Sequence, residues 1–169
     1  MNLIGNLVIV FMILICLLLG YIKLQSINHP GEVPSVFGFK MLMVLSGSMS
    51  PVFEAGDIVL IKQEKDIKAG DIITYQMNGS YVTHRVKEIL SEGGQAQYQT
   101  KGDANNVQDQ YMVSANQVEG LYQWRIPKGA IIVQYVSHPI GLLFLGTCFI
   151  LYFSMRAFVQ LNRKKLINQ

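Results

Sequence analysis

Residues 71–89 read DIITYQMNGSYVTHRVKEI, and this stretch decides the fold. Apolar and polar side chains alternate on both sides of Asn78-Gly79, a dipeptide that favours the tight two-residue turn of a β-hairpin. Together with Ser80 the dipeptide also forms an N-glycosylation sequon, but the flanking alternation already requires a turn here. The stretch therefore predicts two antiparallel strands joined at Asn78-Gly79.

The β pattern extends on both sides of this hairpin, from Met41 to Val136. We expect further strands at four segments bounded by turn residues: MLMVLS (41–46), DIVLI (57–61), AQYQTK (96–101) and EGLYQWRI (119–126). No long stretch has helical periodicity, and the polar segment Ala104–Ala115 is predicted to be a loop. The expected fold is mainly β, with one small antiparallel β domain.

Two uncharged apolar segments flank the β region. Ile4–Ile22 has the length of a helix that crosses the hydrocarbon core of a bilayer, which takes about 20 residues. Pro139–Met155 is the second such segment. The first has no Lys or Arg before it and no Ala-x-Ala site after it, so we expect an anchor rather than a cleaved signal peptide. The sequence predicts two transmembrane helices.

The charges are distributed unevenly along the chain. All 11 acidic residues fall between Glu32 and Glu119, whereas the residues after Pro139 include four basic ones and no acid. Basic residues beside a transmembrane helix stay in the cytoplasm. The four basic residues after the second segment outweigh Lys23 and Lys40, which then lie on the outer side of the membrane. The expected order is a cytoplasmic N-terminus (1–3), a transmembrane helix (4–22), a Pro/Gly linker (23–40), the extracytoplasmic β domain (41–136), a transmembrane helix (137–156) and a basic cytoplasmic tail (157–169).

Composition excludes several classes of site in the β domain. Segment 24–134 holds nine Lys and Arg against those 11 acids, so it has no excess of basic residues for binding nucleic acid. The only cysteines, Cys16 and Cys148, lie in the apolar segments. A disulfide or a thiolate metal site in the β domain is therefore excluded.

Two serines flank Gly47 in LSGSMSP (45–51), directly after the apolar run MLMV. A serine hydroxyl is a weak nucleophile that needs a base within hydrogen-bond reach and a group that orients the base. His84 lies in a predicted strand, whereas His29 and His138 each precede a proline and are expected to be bystanders. Candidate acids, Asp103 and Asp109, lie in KGDANNVQDQ (101–110). Taken singly, a strand histidine and an Asp after a glycine are more often structural than catalytic.

The boxes SGSMSP, GDIVLI, AGDIITY, THRV and TKGDANN occur in that order between Met41 and Pro127. Their sequence and order resemble the type I signal peptidases. The common bacterial branch of that family has a lysine before its Arg-Val pair, whereas here His84 precedes Arg85-Val86. The chain therefore resembles the endoplasmic-reticulum-type branch, which occurs in eukaryotes, archaea and some Gram-positive bacteria, and we expect a Gram-positive source.

The resemblance implies a membrane-bound serine endopeptidase that removes signal peptides from secreted precursors at the outer membrane surface. Ser48 matches the nucleophile, and His84 matches the general base. Asp109 is the expected His-orienting acid, and Asp103 either holds the loop or shares that role. By the same resemblance, the Ser48 backbone N–H and the Ser46 hydroxyl form the oxyanion hole. No metal or cofactor is implied.

Two further choices complete this assignment, the first from the resemblance and the second from strand geometry. Gln108-Asp109 stands where the family often has two adjacent aspartates, so the second acid is kept and Asp109 is favoured over Asp103. Lys87 is a rival base within the family. Residues three apart on a strand point to opposite faces, so Lys87 is not expected at the site if His84 is.

The expected partners are signal-peptide-bearing precursors and the lipid bilayer. The family cuts after small residues at the first and third positions before the bond, and strands near Ser48 and DIITY would pair with the extended peptide. Met41, Met43, Tyr122 and Trp124 are candidates for an apolar membrane-facing rim, although for the two methionines a place in the core is the preferred interpretation. The need for accessory subunits stays open, as does the choice between a general and a dedicated precursor set.

A non-enzymatic alternative is a membrane-anchored β-domain that binds or regulates a partner. The joint presence of Ser48, His84 and Asp109 argues against it, because a binding module does not need this set.

Overall fold

The computed structural model describes residues 3–29, 32–92, 94–137 and 139–167. In chain order the elements are helix α1 (Leu3–Asn28), strands β1 (Ser35–Val36), β2 (Phe39–Met43), β3 (Ile58–Lys62), β4 (Ile72–Met77), β5 (Ser80–Glu92), β6 (Gln95–Lys101) and β7 (Met112–Ser114), a 3-10 turn (Ala115–Gln117), strand β8 (Val118–Ile126), and helices α2 (Gly129–Ser137) and α3 (Pro139–Ile167). The prediction of a mainly antiparallel β domain is confirmed.

The eight strands form one antiparallel sheet in the order β1-β2-β3-β8-β4-β5-β6-β7. The last strand in the chain, β8, inserts between β3 and β4, so Leu121 pairs with Lys62 on one side and with Ile73 on the other. A glycine is needed beside this pairing, because a Cβ on Gly120 would lie 2.8 Å from the Lys62 carbonyl oxygen. The insertion of β8 joins the early strands and the hairpin strands into one sheet.

The predicted hairpin is present at Asn78-Gly79, whose φ angles of 51° and 75° are those of a tight two-residue turn. The turn sets the register of β4 and β5, in which Ile73 pairs with His84. Because side chains alternate along a strand, Tyr75 shares the face of that pair.

Two apolar clusters form the core of the β domain. One lies on β4 to β7 and consists of Ile73, Tyr75, Val86, Tyr98 and Val113. The other consists of Met49, Phe53, Val59 and Ile72. Burial of each such side chain stabilises the fold by about 1.5–3 kcal/mol. Since Met49 and Phe53 belong to the segment after β2, the second cluster fixes that segment to the sheet.

The structure corrects the predicted strands at three places. The strand predicted at 41–46 ends at Met43, as part of β2. The Val44 N–H instead donates to the carbonyl oxygen of Asp57, in the turn before β3 (2.9 Å). The predicted loop Ala104–Ala115 contains β7, which is too short for its alternation to be read, although Val113 is buried. The β region ends at Ile126, because segment 129–137 is helical.

The predicted linker 23–40 also differs from the structure. Helix α1 continues through Asn28, past the predicted end at Ile22, and the β1–β2 hairpin occupies much of the rest. The Gln25 side chain joins the two parts, because its Oε1 accepts the backbone N–H of Ser35 at 2.7 Å.

In the part of the chain that the structure describes, one helix is long and apolar enough to cross a membrane. It covers Gly5–Asn28, with a mean hydropathy of 2.8 and none of that window buried. The second predicted span (137–156) lies mostly in α3, which does not have the same combination of length and hydropathy among the described residues, so the span stays a prediction. His138 lies outside the described residues. The described residues up to Pro127 form one compact unit, and those from Lys128 onward form a second.

Candidate active site

Ser48 lies in a tight turn that follows β2. The turn is closed by a bond from Ser50 N to Gly47 O at 3.0 Å, and the Met49 side chain is buried beneath it. Ser48 itself is only half-buried. Its hydroxyl is therefore held at the surface by a loop whose next residue is part of the core.

A second turn, directly after β6, packs on the backbone of Ser48. The Ala104 N–H donates to the Ser48 carbonyl at 2.9 Å. The approach is so close that a Cβ on Gly102 would lie 2.7 Å from the same carbonyl oxygen. A glycine at position 102 is therefore needed for the two turns to meet.

Three side chains from distant parts of the chain form a hydrogen-bonded row. His84 Nε2 lies 3.2 Å from Ser48 Oγ, and His84 Nδ1 lies 2.6 Å from Asp109 Oδ2. A carboxylate only accepts hydrogen bonds, so Nδ1 carries the proton and Nε2 offers its lone pair to the serine hydroxyl. His84 is buried in β5 with 8% of its surface exposed. This is the arrangement of nucleophile, base and orienting acid that serine catalysis needs.

The Asp109 carboxylate has two further donors. Its Oδ2 accepts hydrogen bonds from Thr100 Oγ1 at 2.7 Å and from Tyr75 OH at 3.3 Å. Backbone bonds fix the residue as well, because Asp109 N donates to Thr100 O (2.9 Å) and Gln99 Nε2 donates to Asp109 O (2.6 Å).

Burial raises the pKa of Tyr75 to about 12, opposed by its bond to Thr100 and reinforced by the charge of Asp109. Tyr75 therefore stays a protonated donor at neutral pH.

Asp103 has a different partner from Asp109. Arg85 holds it with two parallel bonds, Nε to Oδ1 at 2.8 Å and Nη2 to Oδ2 at 2.6 Å, and donates a third bond to Gly70 O. These bonds from Arg85 lower the pKa of the Asp103 carboxyl and raise that of the guanidinium. Asp103 adjoins Ala104, so its ion pair fixes the turn that contacts Ser48.

The remaining candidates from the sequence take different places. Ser46 is exposed, and its Oγ lies 3.4 Å from Ser48 Oγ. Lys87 sits where the β5–β6 register shifts, so strict alternation does not hold there, but it is exposed and does not line the groove described below. His29 follows the end of α1 and bonds through its N–H to Gln25 O.

The row of side chains opens into a groove with a volume of about 530 Å³. Its two walls are Leu42–Ser46 and Ser80–His84, and Phe53 and Val59 lie between them. Among the described strands, β6 pairs with β5 only from Arg85 onward, so residues 80–84 have a strand partner on one side alone. The groove is therefore bordered by an open strand edge, the kind of surface to which an extended peptide adds.

The sequence did not single out Thr100, Gly102 or Tyr75. The hairpin register was a usable signal for Tyr75, because a two-residue turn at Asn78-Gly79 puts it on the face of His84. Thr100 had no such signal, since the β5–β6 pairing contains an irregularity.

Residues 35–119, half of the chain, match the family described as Peptidase S24-like. Signal peptidase I W of Bacillus subtilis is 36% identical over 126 residues, covering 72% of this chain and 66% of the relative. The signal peptidase complex catalytic subunit SEC11 of Plasmodium falciparum is 34% identical over 140 residues, covering 75% of this chain and 73% of the relative. SEC11C of Canis lupus familiaris is 34% identical over 82 residues, covering 46% of this chain and 43% of that protein.

Fold, site geometry and relatives agree on a class, the S24-like serine peptidases. Within that class the chain belongs to the type I signal peptidases of the endoplasmic-reticulum-type branch.

Proposed function

We propose that this chain is a membrane-bound serine endopeptidase that removes signal peptides from secreted precursors. Ser48 is the nucleophile, His84 the general base and Asp109 the acid that orients the base. The observation that carries the proposal is the unbroken hydrogen-bonded row from Ser48 Oγ through the His84 ring to Asp109 Oδ2, beside an open groove. The names of the relatives from Bacillus subtilis and Plasmodium falciparum support the substrate class.

In the first half of the reaction, Ser48 Oγ attacks the scissile carbonyl while His84 Nε2 takes the hydroxyl proton. The imidazolium that forms is stabilised by Asp109 through the 2.6 Å bond at Nδ1. His84 then gives its proton to the leaving amine, and an acyl-Ser48 ester remains. In the second half, water attacks the ester with His84 again as base, and the Ser48 hydroxyl is restored.

The oxyanion that forms in both halves needs donors beside Ser48. The Ser48 backbone N–H is one, and the Ser46 hydroxyl, next to Ser48 Oγ, is the second. A preorganised donor of this kind typically contributes about 2.7–4 kcal/mol to the stability of the transition state.

The groove beside Ser48 accounts for how a precursor is held. An extended peptide adds along the open edge of Ser80–His84 and reaches the wall formed by Leu42–Ser46, so that its scissile bond meets the serine. Phe53 and Val59 are buried and also line the groove. The resemblance to the family implies small side chains at the first and third positions before the bond.

The apolar helix α1 supplies the membrane anchor in this proposal. Met43 (45%) and Leu45 (84%) are exposed and line the groove. Met41 (48%) and Trp124 (66%) are also exposed, and they pair with Leu60 from the two strands beside β3. The two methionines are thus not core residues, whereas Tyr122 packs on Phe53 with 5.5 Å between ring centroids. We include Met41, Met43, Leu45 and Trp124 in a membrane-facing rim, which keeps the groove beside the bilayer that holds the precursor.

A second transmembrane helix within α3 completes the proposed topology. Residues 139–155 are uncharged and are followed by Arg156, Arg163, Lys164 and Lys165, which retain that end in the cytoplasm. Both termini then face the cytoplasm, and the β domain faces the outside.

Cleavage of a secretory precursor with an Ala-x-Ala site, by the full chain in detergent, tests the proposal. We expect Ser48→Ala, His84→Ala and Asp109→Ala each to lose cleavage with the circular dichroism of the β domain unchanged. The matched controls Ser91→Ala, His29→Ala and Asp66→Ala remove the same side chains at exposed positions and should retain it.

Wild-type activity in Ser48→Ala would overturn the proposal. Loss of cleavage in Ser48→Ala but not in His84→Ala would exclude histidine as the base and indicate a lysine.

A further inference from the structure

One oxygen of the Asp109 carboxylate carries most of its interactions. Oδ2 accepts the His84 Nδ1–H at 2.6 Å, the Thr100 hydroxyl at 2.7 Å and the Tyr75 hydroxyl at 3.3 Å. We propose that Thr100 and Tyr75 are positioning residues. Their hydroxyls lock Asp109 Oδ2 onto His84 and thereby keep His84 Nε2 directed at Ser48. This inference rests on the proposed function and deepens it.

The two hydroxyls are placed for this task by the sheet. Tyr75 lies on β4 and Thr100 on β6, and these strands pair with β5, which carries His84. Both residues are inside the protein, with 2% and 0% of their surface exposed. A buried hydroxyl needs a hydrogen-bond partner, and each of these two donates its one proton to Asp109 Oδ2, with 3.3 Å between Tyr75 OH and Thr100 Oγ1. The donors therefore approach the carboxylate from the protein interior, where water does not replace them.

Asp109 itself lies in a loop, so a lock is needed. Its side chain is 21% exposed, compared with 11% for His84. A carboxylate on a surface loop can turn away from the ring that it binds. The Nδ1–H would then lose its acceptor, and the proton would no longer be fixed on that nitrogen. For part of the time Nε2 would then carry the proton and have no lone pair to accept the proton of Ser48. Turnover would fall without any change in the groove.

Both donors to Asp109 are hydroxyl groups. A hydroxyl gives a carboxylate a strong charge-assisted hydrogen bond. Tyr75 remains protonated because burial and the Asp109 charge raise its pKa to about 12. The tyrosine therefore does not become a second anion next to Asp109 at neutral pH.

The decisive variant is Thr100→Val, which replaces the hydroxyl by a methyl group of similar size. A bond to a charged group is among the stronger ones in proteins, so we expect kcat to fall about tenfold to a hundredfold. KM should not change, since Thr100 does not line the groove. Thr100→Ser keeps the hydroxyl and should restore most of kcat. Tyr75→Phe removes the longer bond and should lower kcat by up to about tenfold.

Thr74→Val is the matched control. Thr74 is also fully buried, and its Oγ1 lies 2.8 Å from Thr83 Oγ1. The same isosteric change there should lower the melting temperature but leave kcat near wild type. Equal losses of kcat in Thr74→Val and Thr100→Val would show a general packing effect and overturn the inference.

The experiment measures kcat and KM on a precursor peptide for the full chain in detergent, together with the proton NMR resonance of the His84 Nδ1–H. That resonance lies far downfield when the proton is held between histidine and carboxylate, and it needs no substrate. We expect it in wild type and Thr100→Ser, and expect it to be lost or shifted in Thr100→Val.

Wild-type kcat in Thr100→Val, or an unaltered resonance, would refute the positioning role. If wild type cleaves no precursor, the proposed function fails, while the resonance still decides the lock. If Thr100→Val does not fold, Tyr75→Phe decides it by the same readouts.

Discussion

Gly102→Ala is the sharpest test of how Ser48, the proposed nucleophile, is held. The substitution adds one methyl group at the turn that packs on Ser48. Its Cβ would lie 2.7 Å from the Ser48 carbonyl oxygen and 2.7 Å from Asn105 Nδ2. The amide of Asn105 belongs to a side chain that can move, whereas the carbonyl belongs to the backbone of Ser48 itself.

The size of the effect follows from that distance. An ordinary contact needs 3.4 Å or more, so the two turns must separate by about 0.7 Å. Overpacking of this kind typically costs about 1–3 kcal/mol of unfolding free energy. A displacement near 1 Å can lower turnover by about a hundredfold, so we expect kcat to fall about tenfold to a hundredfold. The bond from Ala104 N to Ser48 O should weaken at the same time.

The assay compares kcat and the urea midpoint of wild type and Gly102→Ala. Gly47→Ala is the stability control, because a Cβ at Gly47 meets nothing within 4 Å and should leave the midpoint unchanged. Asn105→Ala, alone and combined with Gly102→Ala, separates the two contacts. If the double variant has the same kcat as Asn105→Ala, the glycine is needed to avoid the Asn105 side chain and not the Ser48 backbone. If Gly102→Ala has the kcat and urea midpoint of wild type, contact with the Ser48 backbone does not require a glycine.

Three further outcomes are expected. Ser46→Ala should lower kcat by about a hundredfold or more without abolishing it, and full activity in single-turnover assays would exclude Ser46 from the oxyanion hole. Bonds from Arg85 lower the pKa of the Asp103 carboxyl, so the ion pair of these two residues stabilises the fold at neutral pH. This stabilisation is lost as the pH falls below 3.8, the ordinary pKa of the carboxyl, and through the lower pKa that it has in the folded protein. Asp103→Asn should therefore lower the urea midpoint near pH 7 more than near pH 3, and equal losses at both would contradict the pairing. Trp124 is the only tryptophan of the chain and is 66% exposed, so lipids with brominated acyl chains should quench its fluorescence in vesicles, whereas unquenched emission would remove it from the membrane-facing rim.

The sequence by itself determined the local structure of the β domain. Alternation and Asn78-Gly79 predicted the central hairpin, and both are properties of a few neighbouring residues. The same holds for the apolar length of α1 and for the ordered boxes that identify the family. Local patterns did not reveal β7 or the irregularity at Lys87, because three residues are too few for a period and a shift in register depends on the partner strand.

Only the tertiary structure decided which groups meet. Asp103 and Asp109 lie in one loop, and only the family pattern favoured Asp109 as the partner of His84; in the fold Arg85 binds the first and His84 the second. Adjacent residues of β5 point to opposite faces of the sheet, so two neighbouring side chains bind two different acids. Thr100 lies at the site because strand pairing brings together residues that are distant in sequence. No local pattern predicts which strands will pair.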